Sequence, residues 1–483
     1  MTNYFRQIKN VFTFLIILQS TTAIAQQGSI DASFNVMDQG GTGEGASDMI
    51  FSTTPQADKK ILIGGDFTSF NGNPASHIAR LNTDGSFDNT FNTGLGANNT
   101  VMSIAVQTDG KILIAGDFTS FNGNLKNYIL RLNSNGSIDN TFNSGIGPDD
   151  RINCISLQND GKILIGGDFN KYNNIAAYYI ARLNTDGTID NSFNTNMGTN
   201  GSVNCIAQQS DGKILLGGFF DTYKGNIVNM ICRINSNATI DNSFNVGDGA
   251  DNDVNTIAVQ SNGKIIVGGE FTTFNKVATQ NIVRLNTNGS VDNTYLTGNG
   301  TDLSVFRILI QYDDKAIING YFSNYNGNPA KNIARLNTDG TLDNSFDSGF
   351  GCEDNFMIGY IFSAFIQADG NIVIAGNFNH YDNNGKNHIA RVMGDIKTST
   401  ENIANSIQLG NVFPNPSNGV ITLNSPTILS NISVFDEVGK EILNAIPNSN
   451  SITINLNNYA EGIYFIQLKS KDELQNIKVV IEK

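Results

Sequence analysis

The sequence predicts an all-β chain: a seven-bladed β-propeller closed by an N-terminal strand, followed by a small C-terminal β-sandwich. Three observations carry this. Arginine recurs at Arg80, Arg131, Arg182, Arg233, Arg284, Arg335 and Arg391, with five intervals of 51 residues and a last one of 56. A Gly-x-Phe unit keeps the same beat, from Gly65/Phe67 and Gly116/Phe118 to Gly376/Phe378. Asparagine and the 49 glycines interrupt short apolar runs every few residues, which disfavours long helices. A period near 50 built from strands points to a propeller or a solenoid, and the composition excludes a helical solenoid.

The first element is a leader over residues 1–25. Arg6 and Lys9 give a positive start, residues 11–18 (VFTFLIIL) an apolar core, and Ala23-Ile24-Ala25 an A-x-A cleavage site before Gln26. The run falls short of the ~20 residues a bilayer span needs, and no other segment is long enough. The mature chain is expected outside the cytoplasm.

Each repeat reads as four short strands. In the second, SIAVQ (103–107) passes through Asp109-Gly110 into KILIAGDF (111–118). A polar loop then reaches YILRLN (128–133), and Asn135-Gly136 turns it into SIDNTF (137–142). Asp-Gly and Asn-Gly between apolar runs are hairpin signals, because those turns need positive φ. Four antiparallel strands per repeat is the make-up of a propeller blade.

The seam follows from what the seventh repeat lacks. Six repeats end in a strand bearing Asp and Phe or Tyr, such as Asp139/Phe142, but the seventh stops near Met393. Its missing strand stands at the other end, as SIDASF (29–34) with Asp31 and Phe34. The propeller is therefore assigned to 26–393, and an N-terminal strand completing the last blade leaves no open sheet edge. A polar linker (394–410) leads to 411–483, where VITLN (420–424), ISVFD (432–436), SITINL (451–456), GIYFIQL (462–468) and NIKVVI (476–481) predict the sandwich.

The repeat, with D-G-K-I-L-x-G-G-x-F and A-R-L-N-x-D-G-S-x-D-x-S-F signatures, resembles the delta-sixty repeat of secreted bacterial proteins. Phe219 and Tyr321 depart from it where Asp66 and Asp117 stand elsewhere, and Asp314 replaces a turn glycine. The resemblance implies a propeller and no assigned reaction. The last segment resembles a type A sorting domain of the type IX secretion system of Bacteroidota. Pro414, Asn415, Pro416, Gly419, Gly439, Gly462, Tyr464 and Lys478 carry that likeness. It implies export by the outer-membrane machinery, with the cargo released or left on the surface.

Composition narrows the partners. Acidic residues outnumber basic ones 44 to 30, a net charge of −14, which repels nucleic acid. Four cysteines (Cys154, Cys205, Cys232, Cys352) match no zinc spacing and read as small core fillers rather than bridges. His77, His380 and His388 are too few and too scattered for a histidine-based site, and no nucleophile or phosphate-loop motif is present.

A residue type present in all seven blades is scaffold, since a single site needs asymmetry. Arg131 with Asp139, or with a neighbouring blade's Asp, and Arg182 with Asp190 are therefore expected as structural pairs. Loops between blades carry Asp149, Asp150, Asp248, Asp251, Asp253, Asp302, Glu353 and Asp354. These share a face with the loops bearing Phe70, Phe121, Tyr172, Tyr223, Phe274, Tyr325 and Tyr381. The acids form either a solvated rim or a Ca²⁺ site, the one candidate cofactor. The aromatics either pack the blades or stack on sugars. The function expected is a non-enzymatic binding propeller, exported by the type IX machinery, that engages polysaccharide or a surface protein. The alternatives are a polysaccharide lyase or hydrolase using paired acids, and a structural surface scaffold.

Overall fold

The computed structural model describes residues 26–193, 198–355, 357–395, 411–425, 429–436, 440–447, 449–470 and 473–482. Ala23 and Ala25 of the leader and residues 396–410 of the linker lie outside the described residues. The chain divides into two compact units, one ending at Ile396 and the other starting at Lys397.

The first unit is a ring of seven antiparallel blades. In the second blade the inner strand is Val101–Val106, the second Ile112–Gly116 and the third Ile129–Leu132, with Ile104 opposite Ile114 and Arg131 opposite Leu113. All five residues of the second strand are buried, because neighbouring blades cover both of its faces. That is why the segment reads as a continuous apolar run rather than an alternating one. The outer strand shrinks to one rung, Leu132 opposite Ile138, after which the Asp139 carboxylate accepts from the Thr141 N–H and hydroxyl and turns the chain. The core lies between blades. Leu62 and Ile78 of the first blade pack with Val101, Ile112, Ile114 and Phe118 of the second. In the sixth blade Asp314 takes the turn at φ +62° in place of glycine, a conformation Asp tolerates better than most side chains.

The seam closes as the sequence predicts. Ile30 pairs antiparallel with Val392, the Asp31 N–H donates to Arg391 O at 2.7 Å, and the Met393 N–H to Ser29 O at 2.8 Å. Phe34 is fully buried among residues of the first and last blades. Lys386, itself buried, donates to the carbonyls of Phe34, Asn35 and Asp38. The boundary is two residues later than predicted: Asp395 is bound by Arg335 at 2.7 Å, so 394 and 395 belong to the propeller and not to the linker.

The seven inner strands, from Ile50–Pro55 to Tyr360–Ile366, surround a central channel, and the first packs against the last. Each carries an irregularity at the same place. In the sixth blade Val305 faces Gly320 and Arg307 faces Asn319, so Phe306 is an extra, unpaired residue. Such a bulge re-aims side chains, and here every blade contributes at least one bulge residue to the channel lining.

The second unit is a two-sheet sandwich. One sheet pairs Asn411–Phe413, Val420–Asn424 and Ser451–Asn455; the other runs Glu441–Ala445, Asn431–Phe435, Gly462–Ser470, Glu473–Ile481. Residues 411–413 and 441–445 are strands that the sequence pattern did not reveal. Ile421, Ile432, Val434, Ile466 and Val479 fill the space between the sheets.

Candidate functional site

The pairs present in every blade are scaffold. Arg131 Nε donates to Asp139 Oδ2 at 2.7 Å, within one blade rather than between two, and Arg182 does the same to Asp190. Lys111 approaches the same Asp139 oxygen at 3.0 Å, and the guanidinium lies 5.0 Å from the Phe142 ring centre. Its remaining reach goes to the next blade, where Arg131 Nη1 donates to Thr185 O. Burial alone would raise the Asp139 carboxyl, but hydrogen bonds from Thr141, Lys111 and Arg131 outweigh it and hold it well below the usual carboxylate range.

The ring of loop aromatics is also scaffold, which overturns the sugar-stacking alternative for those residues. Phe70, Phe121, Tyr172, Tyr223, Phe274, Tyr325 and Tyr381 are all buried. Tyr172 donates its hydroxyl to Gly187 O at 2.8 Å, and Tyr223 to Ala238 O at 2.7 Å. Tyr172→Phe strands that buried carbonyl and is expected to cost about 1–2 kcal/mol in urea unfolding; an unchanged midpoint would show the bond contributes nothing.

The loop acids do not converge. Asp149, Asp251 and Asp302 each accept backbone N–H groups from the adjacent loop, at Asn170/Lys171, Thr272/Thr273 and Ser323/Asn324. Asp150 is exposed, Asp248 pairs with Lys276 at 2.9 Å on the surface, and Glu353 and Asp354 sit in a short strand of the seventh blade. Among the described residues no three His, Cys, Asp or Glu side chains stand together as a metal-ligand set. Cys232 and Cys352 are buried fillers and all four thiols are free. The His77 and His388 rings each meet a backbone carbonyl, and His380 is exposed.

One loop acid does reach a shared site. Asp253 stands at the mouth of the central channel, where Asn204 donates to it at 3.3 Å. The channel below is a cavity of about 590 Å³ lined by the bulge residues of the seven blades. Its wall is lopsided. One arc is aromatic: Phe362 lies 4.9 Å from Phe51, 5.5 Å from Phe306 and 5.8 Å from Tyr360, which stacks on Tyr321 at 4.3 Å. The facing arc carries Asn153, Asn204 and Asn255. Above them, carboxylates follow the second strands at Asp66, Asp117, Asp168 and Glu270. Arg151 binds Asp168 at 2.6 Å. Asp117 is held above the ordinary carboxylate range, first by burial and then by Asp150, Asp66 and Asp168, against the pull of Arg151. Burial and then Glu270 raise Asp253. Sequence reasoning missed this site. The available signal was two columns that vary inside an otherwise constant repeat, positions 51 residues apart through Phe51/Ser52 and Asn153/Cys154.

In the second unit the signature residues organise the fold. Asn415 donates to Lys478 O at 2.7 Å and accepts the Val480 N–H at 2.9 Å, clamping the last strand beside Pro414 and Pro416. Gly419 and Gly462 adopt φ +112° and +151°. Tyr464 is buried with its hydroxyl on Ala460 O, while Lys478 is exposed. Gly439 lies outside the described residues.

The comparisons with known proteins agree with this architecture. A family model described as a domain of unknown function (DUF5122) beta-propeller matches 56–91, 107–142, 158–193, 209–244, 260–295, 311–346 and 367–395. A secretion system C-terminal sorting domain matches 411–482. No curated protein matches the sequence. Among solved structures, PorZ, a surface component of the type IX secretion system of Porphyromonas gingivalis, is similar at 12% identity and TM-score 0.43, over 91% of this chain and 60% of that one. The extracellular domain of a hybrid two-component system from B. thetaiotaomicron is similar at 12% identity and TM-score 0.45, over 93% and 57%. A gluconolactonase from Xanthomonas campestris is similar at 10% identity and TM-score 0.37, over 72% and 96%. The chain thus spans less than two thirds of the first two, and the fold rests on its own blades and on the family match. No helix among the described residues is long and apolar enough to cross a membrane. The sorting domain makes the protein cargo of type IX export, bound for the cell surface or the medium. The chain belongs to the DUF5122 β-propeller family and carries a type IX sorting domain at its C-terminal end.

Proposed function

We propose that the propeller is a non-enzymatic binding module outside the cell, and that it engages polysaccharide at the mouth of its central channel. The observation that carries this is the pairing of an aromatic arc (Phe51, Phe306, Phe362, Tyr360) with three facing asparagines under a collar of carboxylates. Aromatic faces suit the apolar face of a sugar ring, and amides and carboxylates suit its hydroxyls. Seven buried blades hold these groups rigidly, so little entropy is lost on binding.

The test is retention of the mature chain on a polysaccharide array, with reducing-end release read in the same wells. Retention without release is expected, and Asn204→Ala with Asn255→Ala should weaken it about tenfold or more, the loss of two hydrogen bonds. One observation favours an enzyme as the second reading: Asp117 and Asp253 are carboxyls raised first by burial and then by neighbouring acids, as a general acid would be. Release abolished by Asp253→Asn would establish it. Silence in both assays would turn the search to a surface protein.

A further inference from the structure

The channel wall is held by a repeated stitch. Ser52 Oγ accepts the Ile104 N–H of the next blade, Ser103 Oγ the Ile155 N–H, Thr256 Oγ1 the Ile308 N–H and Ser363 Oγ the Thr53 N–H. Cys154 and Cys205 occupy the same place with small thiols. The sixth blade breaks the rule with Arg307, a long cation where the repeat asks for a short acceptor.

Every arginine of the repeat has its Asp, and Arg151 has Asp168. Among the described residues Arg307 has neither an ion pair nor a hydrogen bond. It lies in the channel lining, reachable by solvent, beside Phe306. A second departure sits directly across the strand pair. Where other blades have Gly64, Ala115, Gly166, Gly217, Gly268 or Ala375, the sixth has Asn319, fully buried, with neither its amide oxygen nor its nitrogen partnered. Of the two, Arg307 opens to the channel, while Asn319, directly across the strand pair, is closed off from solvent.

We propose that Arg307 is an anion-binding group of the channel and that it takes a ligand carboxylate. The guanidinium offers a planar fork that matches a carboxylate with two parallel hydrogen bonds. The acidic collar at Asp66, Asp117, Asp168, Asp253 and Glu270 disfavours multiply charged anions such as phosphate. It favours one carboxylate on a neutral, hydroxylated body, whose ring lies on Phe51 and Phe362 and whose hydroxyls meet Asn204 and Asn255. Enclosure by the channel wall holds the Arg307 guanidinium below its ordinary value although solvent still reaches it, and an incoming carboxylate offsets that effect. A uronic-acid unit of a polysaccharide and a free hydroxy acid share this chemistry. The polysaccharide form rests on the channel-mouth reading above.

The experiment is calorimetric titration of the mature chain with three probes: a galactose trisaccharide in which a single unit is galacturonate, the neutral galactose trisaccharide and lactate. The expected result is binding of galacturonate at least about tenfold tighter than the neutral sugar, lost about tenfold or more in Arg307→Gln, with Arg307→Lys between the two. Arg307→Gln should weaken the neutral sugar less than the charged one. Arg307→Ser restores the short acceptor and should melt no lower than the parent, which separates ligand loss from misfolding. Lactate binding that depends on Arg307, without either trisaccharide, supports the carboxylate site and overturns the polysaccharide reading. Equal affinity for charged and neutral sugars, or charged binding indifferent to Arg307→Gln, overturns the site and leaves the polysaccharide reading standing. No binding of either carboxylate probe also overturns it.

Discussion

Deleting residues 27–35 should cost the propeller more stability than any single substitution outside the seam. The segment supplies the last rung of the seventh blade, and its removal bares the edge at Val392. It strands Arg391, whose Nε is bound to Asp31 at 2.7 Å, and leaves the buried Lys386 ammonium without its three carbonyls. It also empties the Phe34 site; Phe34→Ala alone should cost about 3–5 kcal/mol, the usual price of a large buried aromatic. Urea unfolding of the deletion, of Phe34→Ala and of the parent measures this. A deletion that shifts the midpoint no more than trimming a frayed end would mean that the blades stand as an open array.

The second large effect is expected at Asp139. Asp139→Asn leaves Arg131 and Lys111 facing a neutral amide in a nearly dry site, and should cost about 3–5 kcal/mol, as breaking one partner of a buried pair does. The same carboxyls govern acid stability. Asp88, Asp139, Asp190, Asp241, Asp292 and Asp343 all titrate well below the usual range in the folded state, hydrogen bonds outweighing burial. A lowered folded value means stability that is fully present above the unfolded value of about 4 and is lost as pH falls below it. Urea midpoints should therefore stay flat from pH 7 to about pH 5 and drop steeply beneath pH 4, with a shallower drop in Asp139→Asn. A midpoint indifferent to acid would show that these pairs fix geometry without adding stability.

Repetition made the scaffold legible. Seven copies of Arg, Asp and a loop aromatic announced that those residues hold blades together, and Arg131–Asp139 and the buried Tyr172 bear this out. The missing strand after Met393 and the spare one at SIDASF located the seam, though the propeller runs on to Asp395. The site was hidden for two physical reasons. Phe51, Asn204 and Arg307 are far apart in the chain and meet only because the ring closes. The bulge at Phe306 then turns consecutive residues the same way, which strict alternation of side chains along a strand would forbid. The loop acids misled because an Asp that accepts its own loop's N–H groups, as Asp149 does, is spelled the same as one that faces a ligand. The strands at 411–413 and 441–445 were missed because they are short and carry little apolar pattern.

The grip of Arg335 on Asp395 has a mechanical consequence. Any pull applied through the C-terminal unit enters the ring at residue 395. The strand Ile389–Val392 lies antiparallel to the N-terminal strand, with Gly28 beside Met393. Tension arriving there unassisted would peel the seam open one hydrogen bond at a time, the weakest way to load a strand pair. Arg335, buried in the sixth blade and also bonded to Gln27 at 2.6 Å, catches both chain ends before the peel can start. The ring is thus moored through two blades at once, and a pull on the chain at residue 395 does not fall first on the joint that closes it.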